Sequence, residues 1–191
     1  FIKDRKPFNV LAAVFMVLTP LVHGVGITLI LLFPLLIFYK GKQFFKKEIG
    51  RMEWSSPIWA DLNNDGVDEL VLPTESEGIT VLRAGGEPLW KRKEITDGKA
   101  LCVQAPATAG DVDGDNSKEI FATTSSSIIC LNQDGTVRWE YSPGYEMIGA
   151  PTLGRLSKNS SYSVTAVSRK ENVLYVVDAQ TGTPLHAAAL L

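Results

Sequence analysis

Hydrophobic and polar positions follow two different regimes along this chain. Residues 8–39 are apolar at nearly every position and contain no charge. From residue 54 onward the apolar positions come in short runs of three to five, separated by Gly, Asp, Asn and Pro. The first regime predicts a membrane segment, since about 20 apolar residues suffice for a helix to cross a bilayer. The second predicts short strands joined by tight turns.

The apolar run is punctuated by Pro20, Gly24, Gly26 and Pro34, with His23 near its middle. A single tilted or kinked transmembrane helix over 8–39 fits best, because neither half alone is long enough to span. A hairpin turning between residues 20 and 26 and a signal-peptide core are the alternatives; the run is long for a signal peptide and has no small-residue cleavage site. His23 reads as a neutral histidine bonded near a helix break rather than as a ligand or proton relay. Residues 1–7 form a basic flank, with Lys3, Arg5 and Lys6, and residues 40–53 a basic juxtamembrane linker. There Lys40, Lys42, Lys46 and Lys47, with Phe44 and Phe45, suit an interfacial anchor whose amines reach lipid headgroups.

The short-run region repeats itself. Pro57, Pro106 and Pro151 stand 49 and 45 residues apart, and Gly86, Gly135 and Gly182 stand 49 and 47 apart. A period of 45–50 residues with about four short strands is that of a β-propeller blade. Three units result, at about 54–100, 101–147 and 148–191, each reading strand, acidic loop, strand, turn, strand, turn, strand. Trp90 and Trp139 follow their turn glycines by four residues, where a large ring could pack between neighbouring blades; His186 holds that place in the third unit. Cys102 is placed on the first strand of its unit and Cys130 on the third, too far apart for a disulfide, so both read as buried thiols. Residues 187–191 read as the start of a further strand.

Charge adds an asymmetry. Residues 1–53 carry eight Lys and Arg against three acids, and the rest carries eleven against eighteen. The near balance overall gives no nucleic-acid signal. Much of the acidity sits in two loops, Asp61-Leu62-Asn63-Asn64-Asp65-Gly66-Val67-Asp68-Glu69 and Asp111-Val112-Asp113-Gly114-Asp115-Asn116-Ser117-Lys118-Glu119. Oxygen-bearing side chains recur at positions one, three, five and nine, and the carbonyls of Val67 and Ser117 at position seven could add to them. A hard cation such as calcium takes about six to eight oxygens at roughly 2.3–2.6 Å, which this alternation can supply. The candidate ligands are therefore Asp61, Asn63, Asp65, Val67 and Glu69, then Asp111, Asp113, Asp115, Ser117 and Glu119. An EF-hand is excluded, because its position twelve is Glu whereas Leu72 and Ala122 stand there, and strands follow. Asp-rich turns that bind nothing remain the competing reading. The third unit has Arg155, Ser157, Asn159 and Ser163 in the same frame, so no metal is expected there.

The two loops resemble the FG-GAP (VCBS) repeat of integrin α-subunit propellers and of many bacterial surface proteins, whose pattern is Asp-x-Asp/Asn-x-Asp-Gly-x-x-Asp followed by an apolar strand. Asp61, Asn63, Asp65, Gly66 and Glu69 match it, as do Asp111, Asp113, Asp115 and Glu119, with Asn116 in the glycine place. Residues 178–182, Asp-Ala-Gln-Thr-Gly, are similar to the Asp-x-x-Thr-Gly turn of quinoprotein-type propellers, without the vicinal cysteine pair of those dehydrogenases. The resemblance covers about residues 54–191 and implies a propeller-type all-β domain. The repeat makes it about three blades of four antiparallel strands, a partial propeller, and the apolar run places an N-terminal transmembrane helix before it. The resemblance also implies calcium that holds loops together rather than doing chemistry.

No nucleophile–base pair, phosphate loop or redox motif argues for an enzyme. The expectation is a calcium-binding, membrane-anchored binding or assembly module that contacts membrane lipid and other subunits of a membrane complex, and no nucleic acid. The alternatives are a cell-surface adhesion protein, for which Asn159-Ser160-Ser161 offers a glycosylation sequon, and an enzyme or sensor whose site lies on further blades, since closed propellers have about four to eight. For orientation, the basic residues after the apolar run favour a cytoplasmic C-terminal side. Calcium sites that fill only where the ion is abundant favour an extracytoplasmic one, which is preferred here.

Overall fold

The computed structural model describes residues 38–39, 42–43, 48–52, 54–96, 98–158, 160–169 and 171–189. All of them belong to one compact unit, residues 34–191. The expected transmembrane segment lies outside the described residues except at its end, where β1 (Phe38–Tyr39) pairs antiparallel with β2 (Lys42–Gln43). Those two residues are therefore extended rather than helical. Among the described residues no helix is long and apolar enough to cross a membrane.

Three four-stranded antiparallel sheets make up the rest. The first is β3 (Ile58–Ala60), β4 (Glu69–Thr74), β5 (Gly78–Leu82) and β6 (Pro88–Arg92). The second is β7 (Thr108–Gly110), β8 (Glu119–Thr123), β9 (Ile128–Leu131) and β10 (Val137–Tyr141). The third is β11 (Met147–Arg155), β12 (Tyr162–Ser168), β13 (Val173–Asp178) and β14 (Pro184–Ala189). Each sheet is a meander in chain order. The registers coincide, with Ala60 opposite Glu69, Gly110 opposite Glu119 and Gly154 opposite Ser163, so the three units are structural repeats.

The inner strands are covered on both faces, which explains their continuous apolar runs: every residue of β4, β8 and β9 is buried. Side chains alternate across a strand, and β8 shows the consequence. Ile120 and Ala122 join Val71, Ile79 and Val81 in a core shared with the first sheet. Phe121 between them joins Val164, Ala166, Tyr175 and Val177 in a core shared with the third.

The tryptophans occupy these junctions. Trp90 Nε1 donates to the Gln133 carbonyl at 2.7 Å, and Trp139 Nε1 to that of Ala179 at 3.0 Å. Each ring lies over the turn glycine of the next sheet, Gly135 (φ 82°) or Gly182 (φ 72°). A Cβ on Gly135 would stand 2.8 Å from the Trp90 ring, and one on Gly182 2.6 Å from Trp139. Only glycine combines a left-handed turn with that ring contact. His186, in the corresponding place on β14, is exposed.

Two sequence expectations need correction. Cys102 lies ahead of β7, outside any strand, and is half-buried; Cys130 is buried on β9 as expected, and both are free thiols. Ala187 and Ala188 continue β14 instead of beginning a new strand, because Tyr175 and Leu174 of β13 pair with them.

Candidate metal centre

The two acidic loops connect the first and second strands of their sheets and share one backbone path. Positions four and six are left-handed in both: Asn64 (φ 58°) and Gly66 (φ 86°) in the first, Gly114 (φ 83°) and Asn116 (φ 70°) in the second. Asn and Gly have exchanged places, and asparagine tolerates that conformation better than other residues bearing a Cβ.

Position one closes each loop. The Asp61 carboxylate accepts the N–H groups of Asp65 (3.1 Å) and Gly66 (2.9 Å), and that of Asp111 accepts those of Gly114 (2.7 Å) and Asn116 (3.1 Å). Position five takes the N–H of position seven, with Val67 donating to Asp65 at 2.9 Å and Ser117 to Asp115 at 2.7 Å. In the second loop, carboxylate oxygens of Asp111, Asp113 and Asp115 all lie within 4.8 Å of one another. Such a group of carboxylates could hold a metal ion. In the first loop Asn63 replaces the middle carboxylate, and its amide donates to Asp65 Oδ2 at 3.0 Å, so that loop carries less charge.

Position nine begins the following strand in both loops. Glu69 and Glu119 are 4% and 3% exposed, the first residues of β4 and β8. Their Oε2 atoms accept the N–H of Leu62 (3.0 Å) and Val112 (3.2 Å), bracing the base of each loop. Glu119 stands outside the aspartate cluster. Burial raises its carboxyl above the ordinary carboxylate value, while Arg138 lowers that of Asp113. Arg138 is the residue that sequence reading missed. From β10 its Nη2 pairs with Asp113 Oδ2, and its Nη1 lies 3.0 Å from Glu119 Oε1.

The loops are also joined: Lys118 N–H, at position eight of the second, donates to the Leu62 carbonyl at position two of the first, at 2.9 Å. In the third unit Arg155 takes the place of Asp61 and Asp111, with its guanidinium 4.3 Å from the centre of the Tyr162 ring. Ser163 takes the place of the braced glutamates and is too short for their bond. Among the described residues its buried hydroxyl has no hydrogen-bond partner. Asn159 lies outside the described residues.

Neither a protein-family model nor a curated protein sequence matches this chain. Among solved structures, BamB from Moraxella catarrhalis superposes with a TM-score of 0.51 over 79% of the chain, at 14% identity. The chain spans 44% of that protein. The V. cholerae biofilm matrix protein Bap1 aligns at a TM-score of 0.36 and 16% identity, over 71% of this chain and 28% of its own. At these identities the likeness to BamB is one of fold, a propeller-type array of four-stranded sheets.

Proposed function

We propose that the chain is a membrane-anchored, calcium-binding β-propeller module that serves as a binding or assembly subunit of a larger membrane complex. Residues 8–39 are its anchor, and residues 54–191 stand on the extracytoplasmic side, where calcium is abundant. The residues around the second loop fit the ion: Asp111, Asp113 and Asp115 would hold it, and the first loop would hold a second ion through Asp61, Asn63 and Asp65. The ion would supply fixed positive charge that locks a loop. The chain's own residues do the rest, presenting three rigid sheets to a partner.

The outer face of the third sheet carries this reading. On the second sheet the corresponding face is filled by the third: a Cβ on Gly110 would stand 2.5 Å from Leu153 Cδ2. Gly154 holds the equivalent register position on the third sheet, and a Cβ there would meet nothing within 4 Å among the described residues. Around that notch runs a groove of about 240 Å³ lined by Thr152, Leu153, Arg155, Leu156, Ser163 and Thr165. Leu156 and Leu185 are 63% and 49% exposed. Among the described residues, the unpartnered Ser163 hydroxyl and the open notch at Gly154 suit a covering surface, a partner's or that of a further blade.

Gly154→Trp tests it. The substitution fills the notch and leaves the isolated fold alone. In membranes extracted with mild detergent, the wild-type chain is expected to migrate in a particle much heavier than its own 20.9 kDa. The variant is expected to run alone with its thermal midpoint unchanged. A variant that stays in the heavy particle, or a wild-type chain that runs alone, contradicts the assembly role.

A further inference from the structure

The third residue after each turn glycine, Leu89, Arg138 or Leu185, sits at a β-bulge in the last strand of its sheet. A bulge re-aims its side chain and is a place where function is built into a sheet. Leu89 packs against the first core, and Leu185 is exposed. Arg138 alone of the three is charged, and its bulge points it at the acidic loop of its own sheet. There it spans two carboxylates, Asp113 and the buried Glu119.

The two loops thus have the same backbone and different charge compensation. A buried carboxylate is costly unless it is paired and hydrogen-bonded. Glu119 has both, with the Val112 N–H on one oxygen and Arg138 on the other. Glu69 is as deeply buried, yet among the described residues it has the Leu62 N–H and no ion pair. The planar guanidinium also fixes direction, because its fork places two donors at once. Asp113 is held by Arg138 on Oδ2 and by the Asp115 N–H, at 3.3 Å, on Oδ1. Each of these oxygens keeps a lone pair for an ion.

We propose that Arg138 is the resident counter-cation of the second loop. It orients Asp113 and Glu119 and holds the loop in its ion-binding form before any ion arrives. The first loop has the same backbone but Leu89 at that position, so it is held less firmly until a divalent ion binds. Arg138 is then a positioning residue that makes the two sites unequal: the second is preformed, and the first responds to the ion. The response of the first loop rests on the calcium reading above; the role of Arg138 in the second does not.

Hydrogen exchange of the full-length protein in detergent tests this, with wild type, Arg138→Leu and Arg138→Lys, each in chelator and in millimolar calcium chloride. Loss of a charged hydrogen-bond pair is expected to speed exchange of the amides of residues 112–118 in Arg138→Leu in chelator by about tenfold or more. Arg138→Lys, which keeps the charge without the fork, is expected to fall between. In wild type, moving from chelator to calcium is expected to slow residues 62–68 and leave 112–118 nearly unchanged. Amides of β9 report whether the fold survives; if Arg138→Leu loosens them as well, Arg138→Gln, uncharged but polar and longer than leucine, takes its place. Wild-type exchange rates at 112–118 in the chelator-treated variant overturn the proposal. Faster exchange that calcium reverses supports it. Faster exchange with no calcium effect on either loop upholds Arg138 as the counter-cation and removes calcium from both loops.

Discussion

Gly135→Ala is expected to lower the stability of the β-sheet region by about 3 kcal/mol, a large share of a typical domain's margin. Three costs combine at that position. The left-handed backbone (φ 82°) penalises any Cβ, by about 1–2 kcal/mol. The new methyl would stand 2.8 Å from the Trp90 ring, and such overpacking costs about 1–3 kcal/mol. Moving the ring away weakens the 2.7 Å bond from Trp90 to the Gln133 carbonyl, a net loss of about 1 kcal/mol. Gly182→Ala meets the same conditions beneath Trp139, and Gly154→Ala meets none of them. Urea unfolding followed by tryptophan fluorescence separates them. The midpoint is expected to fall sharply for the first two variants and to stay near wild type for the third. Three equal midpoints would show that the tryptophan–glycine stacks do not hold the sheets together.

Phe121→Ala is expected to cost about 3–5 kcal/mol, the usual range for a buried phenylalanine whose site cannot collapse. Collapse is blocked here because Phe121 is 0% exposed and lies between two sheets. Its ring stands 6.0 Å from that of Trp139, so the cavity would open beside the ring that covers Gly182. Damage is expected to concentrate at the second junction. Hydrogen exchange is expected to rise in β12 and β13 more than in β4 and β5, which pack on the other core. Equal increases in all four strands would mean that the three sheets unfold as one unit.

Most of the architecture was legible because the repeat is written twice in the sequence, in the spacing of prolines and glycines and in the acidic loops. The tryptophans could be placed between blades because they recur at a fixed distance from a turn glycine. The fourth strand of the third unit was harder to see. Its alanines carry little apolar signal, and the pairing with β13 that extends it is a register fact. The loops were half legible. In the second loop the carboxylates of positions one, three and five lie close together, and in both loops position nine belongs to the following strand, whose register buries Glu69 and Glu119 toward the Leu62 and Val112 amides. Arg138 could not be found from the loop at all. It is 25 residues beyond Asp113, and the bulge that aims it exists only once β9 and β10 are paired.

That two loops of one array hold calcium is tested most directly by titrating the chelator-stripped, full-length protein with calcium in a calorimeter, alongside Asp111→Asn and Asp61→Asn. The expected result is two binding events in wild type, one surviving in each variant, and faster exchange of the loop amides of residues 62–68 on return to chelator. Wild-type protein that takes up no calcium at millimolar concentration, or variants that bind as wild type does, would contradict it.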